Sequence, residues 1–347
     1  MNANPYSPFL GKMPKRLMST PIDAENIIDN FIKGSAKTCM ISGVLGMGKT
    51  TMLSSVAGRL INRDDWIVID LKTHINMIQT FNITLAAKPQ INDTVKIEKV
   101  RSHLNIIKIH INNEEPITNE AVIMCKLLEV AARCGKKVLV TIDDAICNDY
   151  VKSFLSLFNR MREKKLPIYL VLAAANDNML MITKDKSLTF IRGAIIIELG
   201  NLNIAELSDD YESALNIDSG MAKEMAIITN GYPFAYQALG NLTYNAGGDY
   251  RFIKADFKKF LFKNIYDNIY DELSQKDRQF VYAIAIAEER KASKIKEVLS
   301  LRQNEFSPYR KRLIEKGIIE SVSHGVVDFT LPYFDEYVAR KYSGEDS

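Results

Sequence analysis

The sequence predicts an α/β protein whose first 200 residues form a three-layer αβα core, a parallel sheet with helices on both faces. Two observations predict this and a third bounds it. Fully apolar, strand-length runs alternate with helical segments up to residue 200, and strands buried on both faces read as unbroken apolar runs. A glycine-rich stretch, GVLGMGKT, lies between the first such run and the first helical segment. Beyond residue 200 the strand signal stops while helical patterns continue.

Each element follows in order. KTCMISGV (37–44) is the first strand, and a helix follows the glycines over about 49–62. WIVIDLK (66–72) is the second strand, and HLNIIKIHIN (103–112) alternates enough to be an extra, more exposed one. TNEAVIMCKLLEVAARCG is an amphipathic helix with Thr118 or Asn119 at its N-cap and Gly135 as its stop. KKVLVTIDD (136–144), a helix through Arg162, PIYLVLAAA (167–175), a short helix and AIIIELG (194–200) complete the core. Residues 203–265 read as several helices interrupted at NGYP (230–233). Residues 270–342 give three further helical patterns. Ser307 is the expected N-cap of the third, with Pro308 at its first helical position and Gly317 at its end. IIESVS and VVDFTLP flank a His324-Gly325 hairpin turn. Three helices and a hairpin describe a winged helix-turn-helix. The expected domains are therefore a core (1–200), a helical lid (201–265) and a winged helix (266–347).

Composition excludes more than it selects. Of 347 residues, 25% are charged and the net charge is +3, too small to announce a nucleic-acid binder. The longest apolar run, LPIYLVLAAA, is too short to span a bilayer. The N-terminal stretch lacks the apolar segment of a signal peptide. Cys39, Cys125, Cys134 and Cys147 form no paired motif, which points to reduced thiols in a cytoplasmic protein with no membrane partner.

The chemistry is concentrated in GVLGMGKT, which fits the phosphate-loop spacing at Gly43, Gly48, Lys49 and Thr50. Glycines, Gly46 included, allow the backbone N–H groups of Gly43, Val44, Leu45, Gly46, Met47 and Gly48 to turn toward phosphate oxygens. The helix opening at Lys49 adds the positive end of its dipole to residues through Thr51. Lys49 would reach the outer phosphates of ATP, and the Thr50 hydroxyl would ligate Mg²⁺. A second acidic element is required, and the strand KKVLVTIDDA supplies Asp143 for the metal and Asp144 to orient or deprotonate a water. The alternative is that the two aspartates cap the next helix. Asn176, after the neighbouring strand, could sense the outer phosphate or cap the helix that follows. Arg192 is the best-placed arginine finger, with Arg160 and Arg162 as competitors; the other reading of each is a solvated surface residue, the commoner fate of an arginine.

NPYSPFLGKMP, GVLGMGKTT, VTIDDA, TNGYPFAYQALG and SPYRKRLIEKGIIE…VVDFTLPYFDEYV together resemble prokaryotic AAA+/STAND-type P-loop ATPases related to archaeal ATPases and origin-recognition-type initiators. The resemblance covers nearly the whole chain. It implies an AAA+-like core, ATP bound at 43–51, and Gly231-Tyr232-Pro233 matching a lid motif in which Pro233 lies by the nucleotide. A plain helix-breaking turn is the other reading of NGYP. Three departures weigh against fast turnover: no Gly-Arg-acidic signature follows the N-terminal element, FAYQALGNL carries no sensor arginine, and no arginine directly follows AAAND.

The expected function is therefore an ATP- and Mg²⁺-binding, slow ATPase that acts as a nucleotide-gated switch between ATP and ADP states, in a possible homo-oligomer. In the alternative, Arg310, Lys311 and Arg312 contact duplex DNA and the nucleotide is mainly structural; otherwise the winged helix packs on the core or a protein partner. A STAND-type signalling switch is the third reading.

Overall fold

The computed structural model describes residues 3–10, 22–92, 95–99, 107–111, 118–300 and 302–344. Residues 103–106 and 112 of the expected extra strand and all of LMSTP (17–21), where the N-terminal signature departs, lie outside the described residues. The chain divides into two compact units. One comprises residues 20–42 and 49–198; the other comprises residues 1–19, 43–48 and 199–347.

The first unit is the sheet. It contains β1 (Thr38–Ser42), β2 (Trp66–Leu71), β3 (Val95–Lys99), β4 (Ile107–Ile111), β5 (Lys137–Ile142), β6 (Ile168–Ala174) and β7 (Ile195–Glu198). Five strands form one sheet in the order β2-β5-β6-β1-β7, and every adjacent pair is parallel. Parallel strands need crossovers, and the helices Lys49–Ile61, Glu120–Arg133 and Asp149–Glu163 supply them. β1, β5 and β6 are buried along nearly their full length, as their unbroken apolar sequences require. Val140, Ile142, Phe154, Phe158, Leu170 and Leu172 sit in the core this creates.

One expectation is corrected here. AIIIELG reads as a fully buried strand, but β7 alternates half-buried and exposed residues, and Ile196 is 55% exposed. It is an edge strand of the sheet, so only its β1 side is paired. The extra strand is present as β4, which pairs antiparallel with β3 in a separate two-stranded ribbon.

The second unit is helical. Helices Ile204–Leu215, Ser219–Ile228, Pro233–Asn245 and Lys254–Leu261 come first. A π-helical turn, Phe262–Tyr266, then leads into a short helix, Asp267–Asp271. Helices Gln275–Ile286, Ala292–Leu299 and Gln303–Glu315 precede the antiparallel hairpin of β8 (Ile319–Ser323) and β9 (Val326–Phe329). His324 and Gly325 form its turn, with Gly325 at φ +75°, and a last helix spans Phe334–Ser343. One continuous apolar cluster runs through this unit, from Tyr6, Val44 and Met47 to Phe306, Phe334 and Tyr337.

The third C-terminal helix begins earlier than expected. Ser307 is not its N-cap; the cap is Arg302, and Pro308 lies inside the helix. The Glu305 carboxylate accepts from the Arg302 N–H at 2.9 Å. Phe306 is buried with its ring centroid 5.1 Å from that of Phe280. Capping and burial of a phenyl ring outweigh the backbone bond that Pro308 cannot make.

Candidate functional site: a phosphate loop and an acidic strand end

The parallel order places the carboxyl ends of β1, β6 and β5 side by side on one edge of the sheet. This is the edge where open α/β sheets bind ligands, because strand order reverses there. β1 runs into Gly43, β6 into Asn176 and β5 into Asp143. The glycine loop itself is divided: residues 43–48 belong with the helical unit, and Lys49 onward with the sheet.

Within the sheet unit, Lys49 opens its helix and is only 6% exposed. One turn of helix allows Thr50 to face β5. Its hydroxyl donates to Asp143 Oδ2 at 2.7 Å, joining residues 93 apart in sequence. The other carboxylate oxygen, Oδ1, accepts from the Asp144 N–H at 3.0 Å. Asp144 is exposed and sits at φ +47°, a left-handed geometry that aspartate tolerates better than most residues. Neither aspartate caps the next helix, since Asn148 does so by accepting from Val151 N–H at 2.9 Å.

Asn176 is not the N-cap of its helix. Ala175 holds that position, with no side-chain cap bond. The Asn176 side-chain oxygen is buried and has no hydrogen-bond partner. Buried acceptors are rarely left so, and a polar ligand at this edge would supply the donor.

Sequence reasoning missed Lys72, at the end of β2 next to β5. Its ammonium lies 2.7 Å from Asp70 Oδ2. The hydrogen bond to Asp70 raises its pKa; burial partly offsets this, and the fields of Asp143 and Asp144 add to the rise. No motif marks it, because a lysine ending an apolar strand is ordinary.

Within the helical unit, Gly46 and Gly48 adopt φ +80° and +91°, conformations that only glycine takes without strain. Successive amides of such a turn form an anion-binding concavity. The side chains of Val44, Leu45 and Met47 point the other way: Val44 and Met47 are buried in the helical core and Leu45 packs against it. These three residues therefore offer only backbone groups to a ligand. The Tyr232 hydroxyl donates to the Leu45 carbonyl at 2.5 Å, a link the sequence did not reveal. Gly231 has φ +71°, and a Cβ there would overlap the Leu202 carbonyl. Pro233 is the first residue of the helix that follows. NGYP is thus more than a breaker of helices, since its tyrosine grips the glycine loop.

The arginines separate into engaged and exposed. Arg162 donates to Asn159 Oδ1 at 2.8 Å and lies over the Phe190 ring. Arg160 and Arg192 are exposed, Arg192 in the 3-10 segment Lys186–Gly193. Farther along, Arg312 Nε donates to Asp277 Oδ1 at 2.8 Å, and Asp277 is only 2% exposed. Arg310 donates to Ser321 Oγ at 2.7 Å, while the Lys311 side chain is 77% exposed. The expected trio of DNA contacts thus differs in its partners: Arg312, though half-exposed, is held by an internal carboxylate because Asp277 is buried and needs a counter-charge.

Sheet order, glycine loop and acidic strand end define the fold as that of the AAA+ P-loop ATPases. A Walker-type ATPase of Pyrococcus abyssi superposes with a TM-score of 0.66 at 14% identity, over 93% of this chain and 96% of its own. The ORC2 protein of Aeropyrum pernix, in ADPNP–ADP complexes, gives 0.59 at 13% identity over 96% of each chain. Cdc6p of Pyrobaculum aerophilum gives 0.51 at 16% identity, again over 96% of each. A family model described as a domain of unknown function (DUF8462) matches residues 263–338. No curated protein matches the chain in sequence. Among the described residues no helix is long and apolar enough to cross a membrane.

Proposed function

We propose that this chain binds ATP with Mg²⁺, hydrolyses it slowly, and uses the change from ATP to ADP to switch its helical lid (201–265) and C-terminal part (266–347). The observation that carries this reading is the Thr50–Asp143 hydrogen bond at 2.7 Å. A hydroxyl and a carboxylate so paired, in the residue after Lys49 and at the end of β5, are the kind of protein ligands a phosphate-bound Mg²⁺ takes. The donor set fits: Mg²⁺ takes one or two protein oxygens and fills its shell with phosphate and water. Support also comes from the ORC2 structure, whose complexes hold ADPNP and ADP.

Bound Mg²⁺ would neutralise charge on the phosphate oxygens. The chain's own residues do the remainder. The loop amides of 43–48 and the Lys49 ammonium hold the phosphates, and Asp144, free of the cap role, orients or deprotonates a water. Asn176 accepts a hydrogen bond from that water or faces the outer phosphate. Arg192 or Arg160, both exposed, would complete the site of a neighbouring copy in a homo-oligomer.

Lys49→Ala and Asp143→Asn test this by titration with ATP. Both variants should bind at least about tenfold more weakly, and EDTA should weaken the unsubstituted chain as Asp143→Asn does. Unchanged affinity in Lys49→Ala would sink the proposal.

A second reading, a winged-helix DNA binder in which nucleotide is mainly structural, is favoured by one observation. The three helices and hairpin of 275–329 present Lys311 to solvent on the helix Gln303–Glu315. Duplex DNA titrated at several salt concentrations separates the readings, because phosphate contacts give a salt-dependent affinity.

A further inference from the structure

The glycine loop is held from behind by two side chains of the helical unit. Tyr232 donates its hydroxyl to the Leu45 carbonyl at 2.5 Å. Beside it, Ile265 fills the space next to Gly46, where an added Cβ would meet its Cδ1 at 2.5 Å and would overlap the tyrosine hydroxyl. Both side chains are fully buried. Burial pushes the Tyr232 phenol well above its usual pKa, so it stays protonated and remains a donor.

Ile265 belongs to the π-helical turn Phe262–Tyr266, inserted between the helices Lys254–Leu261 and Asp267–Asp271. The Asp267 N–H reaches back to the Phe262 carbonyl, closing the wide turn. Such insertions concentrate at functional positions. Two consecutive residues of this turn meet different partners. Ile265 faces the glycine loop, and Tyr266 faces the C-terminal part. The Tyr266 hydroxyl donates to the Pro332 carbonyl at 2.6 Å. Its ring meets Phe334 edge-on at 5.1 Å and Tyr337 at 5.7 Å. The turn lies at the start of the region matched by the domain of unknown function.

We propose that Tyr232 is a positioning residue for the phosphate loop, and that the Ile265–Tyr266 turn carries the state of that loop to residues 330–337. The inference rests on the nucleotide-binding reading above and adds its route of transmission. Tyr232 keeps the Leu45 carbonyl turned toward the lid, which leaves the neighbouring amides to face a phosphate. A filled loop then holds Gly46 against Ile265 and stabilises the π turn, and through it the Tyr266–Pro332 contact. Linkage makes this reciprocal: whatever loosens residues 330–337 also weakens nucleotide binding.

The test uses the full chain with Tyr232→Phe, which keeps the ring and removes the hydroxyl. Mg-ADP and Mg-ATP affinities are measured for both proteins, with amide hydrogen exchange followed with and without Mg-ADP. Loss of one buried hydrogen bond should weaken binding about fivefold. In the unsubstituted chain Mg-ADP should slow exchange at 262–266 and 330–337 as well as at 43–51, and the variant should lose the distal protection. Equal affinity together with equal distal protection overturns the inference. So does protection confined to 43–51 in the unsubstituted chain, a measurement that stands even if the variant does not fold. Failure of the unsubstituted chain to take up ADP or ATP overturns the nucleotide reading itself, which distinguishes the two failures.

Discussion

Tyr6 and Gly240 lie in direct contact: a Cβ added to Gly240 would sit 2.7 Å from the tyrosine ring. The ring is buried against Tyr211 and Tyr236, and its hydroxyl donates to Asp210 Oδ2 at 3.1 Å. Backbone bonds reinforce the docking. The Ser7 N–H donates to Gln237 Oε1 at 2.9 Å, and Asn241 Nδ2 donates to the Tyr6 carbonyl at 3.1 Å. The N-terminal arm is thereby tied to the helix Pro233–Asn245.

The sign of one substitution tests that docking. In an undocked helix, Gly240→Ala would stabilise by about 1 kcal/mol, since alanine is the better helix former. Against the Tyr6 ring it should destabilise by about 1–3 kcal/mol through overpacking and expose residues 3–10 to protease. A rise in urea midpoint with the arm still protected would show that the contact is not as described.

Asn176→Ala separates folding from chemistry. Its buried oxygen has no partner, so deletion should leave stability within about 0.5 kcal/mol or raise it slightly. If the oxygen accepts from a bound water, turnover of ATP should fall about tenfold or more, with smaller change in nucleotide affinity. Steady-state hydrolysis beside thermal unfolding decides this. Unaltered turnover would remove Asn176 from the site.

Arg312 and Lys311 are neighbours with opposite expected behaviour. Arg312→Ala strands the buried Asp277 carboxylate and should cost about 2–3 kcal/mol, somewhat less than a fully enclosed pair because the guanidinium is 42% exposed. Lys311→Ala should leave stability within about 0.5 kcal/mol. If duplex DNA binds at all, Lys311→Ala should lower the salt slope by about one. Denaturant melts and salt-dependent titrations check both halves; a neutral Arg312→Ala would refute the ion pair as a structural element.

These residues show how far the primary structure can be read. The sheet was legible because burial on both faces imposes unbroken apolar runs on β1, β5 and β6. The loop was legible because only glycine at 46 and 48 takes the backbone the turn demands. The acidic end of β5 was legible because strand and loop spacing constrain it. Such features are local: a period, a positive φ or a run of one polarity is written in consecutive residues. The start of the helix Gln303–Glu315 was misread because a local rule about proline yielded to burial of Phe306, which is a tertiary term.

What the amino-acid sequence determined alone was the five strands of the main sheet, the helices Lys49–Ile61, Glu120–Arg133 and Asp149–Glu163 between them, and a glycine-rich loop before Lys49. Only the folded chain decided which side chain holds which. Tyr232 grips Leu45 across 187 residues, and Arg312 answers Asp277 across 35. Partners so distant leave no periodic trace, because a buried donor or charge is satisfied by whichever group packing brings within about 3 Å.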